Sequence, residues 1–168
     1  MLALLPLTLA LALALPAEGF LTKNINSVDA EVLALLGPGF ISAPRPGKLA
    51  YSCPKCAEEP IIGIEFGRQV DGTEGRVRSG ETKIEDLEKQ CQARSPECRL
   101  TALDAGPAVG WVSSYELGSS KGATAILILN GDLLTIRSLA NDAATARGNI
   151  DKLLPLLREK VIGPPPAA

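Results

Sequence analysis

The chain has 168 residues, 17 basic and 19 acidic side chains, a net charge of −2, 4% aromatics and no histidine. Near balance without a basic block gives nucleic acid no electrostatic footprint, and scarce aromatics offer no stacking platform. The missing histidine excludes a Ser-His-Asp triad, a Cys-His nucleophile pair and His-ligated zinc or copper, so no catalytic residue, cofactor or metal is assigned.

The chain begins MLALLPLTLALALALPAEGF. The apolar run over residues 2–15, followed by Pro16 and Ala17 before Glu18, reads as the h-region and small-residue cleavage site of a secretory signal, although no Lys or Arg precedes it. It is shorter than the roughly 20 apolar residues that span a bilayer, so an uncleaved anchor is the rival reading. The expected organisation is a signal peptide over 1–17, one domain over 18–163 and a disordered Pro-rich tail over 164–168. No membrane span is expected after cleavage.

Residues 28–36 predict a short helix capped by Ser27 or Asn26, with Val28, Val32, Leu35 and Leu36 on one side and Gly37-Pro38 as the stop. Residues 48–53 and 61–68 read as strands. In the second, Ile62, Ile64 and Phe66 alternate with Gly63, Glu65 and Gly67. QVDGTEGRVRSGE, residues 69–81, is polar and carries three glycines, which predicts a mobile surface loop. Thr82 with Glu85 forms a capping-box pattern for a helix bearing Ile84, Leu87 and Cys91 on one face. Ser95-Pro96 ends it, and residues 98–104 predict the next strand.

Residues 108–117 are extended, with Val109, Trp111, Ser113, Tyr115 and Leu117 sharing a face. Asn130-Gly131 between two β-rich runs is a strong hairpin signal, because a type I′ turn needs positive φ at both positions. That turn sets Leu129 opposite Asp132, Leu127 opposite Leu134 and Ala125 opposite Ile136 on a buried face. Ile128 then opposes Leu133, Ile126 opposes Thr135 and Thr124 opposes Arg137 on the other. Residues 142–161 predict a final helix, capped by Asn141, with an apolar stripe of Ala143, Ala146, Ile150, Leu153, Leu154, Leu157 and Val161 and a kink at Pro155.

The order of elements predicts an α+β domain, an antiparallel sheet of about five to seven strands packed against two or three helices. The stretch ELGSSKGATAILILNGDLLTIRSLANDAATARGNIDKLLPLLREKV resembles the closing hairpin and helix of PsbP-like proteins. The resemblance covers about 50 residues and implies an antiparallel sheet covered by helices, in a family of mostly non-catalytic accessory or assembly factors. It carries no functional residue across, and the four cysteines lie outside it.

Those cysteines are Cys53, Cys56, Cys91 and Cys98. A thioredoxin-like site needs its CxxC at a helix start, where the dipole lowers the first thiol's pKa. Here Glu58 and Glu59 follow and lead into a strand. Four thiolates suit zinc, but the Cx6C spacing is long for a usual knuckle. Two structural disulfides are the leading expectation. A long-range pair such as Cys53–Cys91 would stabilise by about 4 kcal/mol and each local pair by roughly 2–2.5. The proximity of the helix end at Cys91 to the strand start at Cys98 favours local pairing.

Arg68, Arg76 and Arg78 border the Gly-rich stretch and suit an anion or carboxylate, against a plain solvated loop. Trp111 and Tyr115 suit core packing or an apolar partner surface. The expected function is an exported, disulfide-stabilised, non-catalytic binding or accessory protein, acting on an unknown envelope protein or small ligand. The Ala-, Leu-, Gly- and Pro-rich composition suits a bacterium of high genomic GC content, and places the protein in the periplasm or outside the cell. The alternative is a thiol-active redox factor or soft-metal carrier using Cys53 and Cys56.

Overall fold

The computed structural model describes residues 19–164. The expected signal peptide and residues 165–168 of the expected tail lie outside them. Seven strands form one antiparallel sheet: β1 (Ile41–Ser42), β2 (Lys48–Ser52), β3 (Ile61–Arg68), β4 (Arg99–Ala102), β5 (Val109–Leu117), β6 (Ser120–Leu129) and β7 (Asp132–Ala140). Their spatial order is β1-β2-β3-β7-β6-β5-β4. Two meanders therefore meet where β3 pairs with β7.

The β6–β7 register matches the Asn130-Gly131 turn pair for pair, from Leu129↔Asp132 to Thr124↔Arg137. Asn130 has φ 52° and Gly131 φ 81°, the left-handed values a type I′ turn demands. A second tight turn, at Gly118-Ser119 (Gly118 φ 60°), joins β5 to β6 with Leu117 opposite Ser120. Alternation then divides the side chains between two faces. Leu49, Ile62, Ile64, Leu127, Leu134 and Ile136 point to the core face and are fully buried.

Among the described residues, four α-helices accompany the sheet: α1 (Asp29–Leu36), α2 (Thr73–Ser79), α3 (Ile84–Gln92) and α4 (Ala143–Leu157). A 3₁₀ turn over Ile25–Val28 precedes α1, with Asn24 as its cap rather than Ser27 or Asn26. α4 packs on β6 and β7, and α1 packs on α4. Ala146, Ile150, Leu153 and Leu157 are buried as the stripe requires, whereas Ala143 is exposed in the first turn. Asp142, not Asn141, caps this helix, its carboxylate accepting the Thr145 N–H at 2.9 Å. The helix runs through Pro155, which brings no N–H to the ladder. It ends in a π turn over Arg158–Ile162, where the Gly163 N–H reaches back to the Arg158 carbonyl at 2.9 Å.

The Gly-rich segment departs from expectation, because residues 69–81 contain α2. Asp71 accepts the Thr73 N–H at 3.0 Å at its start, and Glu74 pairs with Arg78 one turn on. Three nearby glycines hide these local supports from a composition-based reading. α3 starts at Ile84 with no side-chain cap, so Thr82 does not form the capping box.

Both disulfides are local, Cys53–Cys56 and Cys91–Cys98. The first closes the β2–β3 connection. The second ties the end of α3 to the start of β4, beside a Glu88 carboxylate that accepts the Leu100 N–H at 2.6 Å.

Candidate functional site

The core face of the sheet carries α1 and α4, which leaves the opposite face to the other elements. There the two halves differ. α2 rests against β5 and α3 against β4, and Ile128 on this face is 1% exposed. Over β2, β3 and β7 no described helix covers the outer face, and Ile61 stands 56% exposed on an interior strand.

Three registered rows build this open area. Ile61 lies opposite Leu139, forming an apolar end. In the middle row, Gly63 sits between Ala50 and Arg137. In the third, Glu65 lies between Lys48 and Thr135, and the Lys48 ammonium pairs with Glu65 at 3.4 Å. Gly63 has no side chain, and an added Cβ would meet nothing within 4 Å. The result is a shallow groove of about 200 Å³ with Gly63 and Ala50 as its low floor.

Arg137 stands on the rim of that floor. It is exposed, and it makes no ion pair or hydrogen bond among the described residues. Its cross-strand neighbour on the far side is Thr124, whose hydroxyl bonds the Tyr115 hydroxyl at 3.0 Å. One guanidinium therefore faces solvent between a glycine and a polar pair, next to the Ile61–Leu139 apolar end.

The three arginines singled out in the sequence have other partners. Arg68 binds Asp132. Arg76 donates to the Asp71 carbonyl at 3.0 Å and to the Thr73 hydroxyl at 3.1 Å. Arg78 donates to Glu74 at 2.8 Å and to the Pro107 carbonyl at 3.0 Å. Arg68 and Arg78 tie distant segments together, while Arg76 holds the start of α2 locally. Trp111 and Tyr115 are half-buried on the outer face of β5. Trp111 lies between Ala102 and Ile126. The Tyr115 ring covers Gly122, where an added Cβ would come within 2.4 Å of it.

The CPKC segment is a stapled turn. Cys53 is 1% exposed, and its sulfur lies 3.0 Å from where Gly39 would carry a Cβ. The turn closes through Cys53 N–H to the Pro60 carbonyl at 3.0 Å and runs into β3, so the CxxC does not open a helix as a thioredoxin-like site does. Among the described residues, no group of three or more Cys, Asp or Glu side chains is placed to hold a metal ion, and no helix is long and apolar enough to cross a membrane.

Among the described residues, two polar clusters lie away from the groove, around Asp132 and Asp29. The Asp132 carboxylate accepts the Phe20 N–H at 2.8 Å and binds Lys23 and Arg68. Burial pushes its pKa upward, but these three donors outweigh it and hold the carboxyl below the usual range. Asp29 accepts the Tyr51 hydroxyl at 2.8 Å and the Ser42 hydroxyl at 2.6 Å. Burial and the Asp29 carboxylate push the Tyr51 phenol far above its usual range, so it stays a donor.

No family model and no curated protein matches this chain. Among solved structures, it is similar to the solution structure of cyanobacterial PsbP (CyanoP) from Synechocystis sp. PCC 6803. The identity is 12%, the match covers 93% of this chain and 98% of that one, and the TM-score is 0.44. The likeness is one of α+β outline, and no residue of the groove is carried across.

Proposed function

We propose that the protein is an exported, non-catalytic accessory protein that docks a partner protein on the open half of its sheet. The carrying observation is the groove over β2, β3 and β7, with its low Gly63 floor, exposed Ile61 and ion-pair-free Arg137. Small-molecule pockets usually enclose about 300–1,000 Å³ and bury most of their ligand. A shallower, open groove suits a protruding part of another protein. Arginine beside exposed apolar side chains is also the composition of interface anchors.

Export is supported by the N-terminal apolar run and by two disulfides, which persist in oxidising compartments. The periplasm or the cell exterior is the location this favours. A non-catalytic role is supported by the absence of histidine and by cysteines engaged as staples. The burial of Cys53 weighs against the thiol-active alternative, because a redox pair must present its attacking sulfur.

The test is a photo-crosslinking side chain placed at Thr135 in the groove and, as control, at Lys160 near the chain's end. Irradiation of cells should give a discrete protein adduct from Thr135 and none at that mass from Lys160. Identical adduct patterns from both positions would remove the docking role.

A further inference from the structure

The open half of the sheet carries a charge pattern that selects among partners. Lys48 and Glu65 neutralise each other at one end of the groove. Ile61 and Leu139 make the other end apolar. Among the described residues lining the groove, Arg137 alone leaves a net charge at the rim, and its guanidinium is free to take a carboxylate in a two-point fork. Arg137 and Leu139 are two residues apart on β7, so their side chains share a face about 7 Å apart.

We infer, resting on the docking role proposed above, that the occupant is a partner-protein segment presenting one carboxylate beside an apolar side chain, with Arg137 as its anchor. The spacing suits residues i and i+2 of an extended segment, or i and i+4 of a helix. The floor of Gly63 and Ala50 lets that segment approach the sheet closely. A polyanion fits poorly, because Lys48 is already paired with Glu65 and Arg137 is the one unpaired cation among the described residues lining the groove. A purely apolar surface would leave the guanidinium desolvated without a partner, which is costly.

The experiment uses the full chain carrying the photo-crosslinker at Thr135, with Arg137 unchanged or replaced as Arg137→Lys, Arg137→Gln or Arg137→Glu. Arg137 is exposed, so these variants should keep the parent melting temperature. Adduct yield should fall about ten-fold for Arg137→Gln, the loss of one charge-assisted anchor, and further for Arg137→Glu. Arg137→Lys should retain part of the yield, since it keeps the charge and loses the fork. Mass mapping should place an Asp or Glu next to an apolar residue in the cross-linked partner peptide.

An adduct whose yield is indifferent to Arg137→Gln and Arg137→Glu overturns this inference and leaves the docking role standing. An adduct to a second copy of this chain, or to a lipid, overturns the inferred occupant. No groove-specific adduct from the unaltered chain overturns both.

Discussion

Asp132 accepts the backbone N–H of Phe20 at 2.8 Å across 112 residues of sequence. The contact ties the N-terminal strap to the first residue of β7. Phe20 then packs against Phe66 with ring centroids 5.9 Å apart, and Lys23 and Arg68 complete the charge around the carboxylate. Gly19 is required at this approach, because a Cβ there would lie 1.9 Å from a carboxylate oxygen of Asp132.

Asp132→Asn should therefore loosen the strap. The carboxylate is 9% exposed, but its two cationic partners are 66% and 63% exposed and well screened. A loss of about 1–2 kcal/mol is expected from charge-assisted hydrogen bonds of this kind. Urea unfolding gives the size, and faster hydrogen exchange at the Phe20 amide gives the place. Unchanged exchange there would mean the strap is held by Phe20 packing alone.

The same carboxylate predicts an acid dependence. Its folded pKa is depressed, so the unfolded state binds the extra proton first. The stabilisation is fully present above the unfolded value of about 3.9 and is lost as pH falls through the lower folded value. Asp132→Asn should be less sensitive than the parent to acid over that window. Parallel stability curves for the two proteins would refute the assignment.

The Asn130-Gly131 hairpin was legible because its requirement is local. Two adjacent residues must take positive φ, and few dipeptides do so cheaply. One turn then fixes nine cross-strand pairs and the burial of both faces. Gly131→Val should cost about 1–2 kcal/mol or more, from a β-branched residue at φ 81° and a Cβ 3.1 Å from Val70. Thermal unfolding measures it.

What escaped the sequence reading was long-range. α2 is held from outside, by Glu74 accepting the Gly131 N–H at 3.1 Å and by Arg78 reaching Pro107. Neither partner is near in sequence. Arg68, Arg76 and Arg78 stand out as a local cluster of charge; Arg76 and Arg78 find local partners at Asp71 and Glu74 once α2 forms, whereas Asp132 is brought to Arg68 by the β3–β7 pairing. In the sequence, Arg137 is marked only by its place opposite Thr124 in the hairpin register. Its significance lies in a neighbour without a side chain, Gly63, supplied by a strand about 70 residues earlier, which only the β3–β7 pairing reveals.

The cysteines make a separate claim. Peptide mapping without reductant should yield Cys53–Cys56 and Cys91–Cys98, with no free thiol in the described chain. Removing either pair together should cost roughly 2–2.5 kcal/mol, the value for such short loops. The protein should not accelerate insulin reduction. Activity in that assay, lost in Cys53→Ser, would promote the thiol-active reading.

Filling the groove floor tests the docking face most directly. Gly63 has ordinary extended backbone, and open space lies where a side chain would project, so Gly63→Phe should fold as well as the parent. With the photo-crosslinker at Thr135, this variant should keep its melting temperature and lose the partner adduct. A well-folded Gly63→Phe protein that still forms the adduct in full yield would contradict the open half of the sheet as the docking surface.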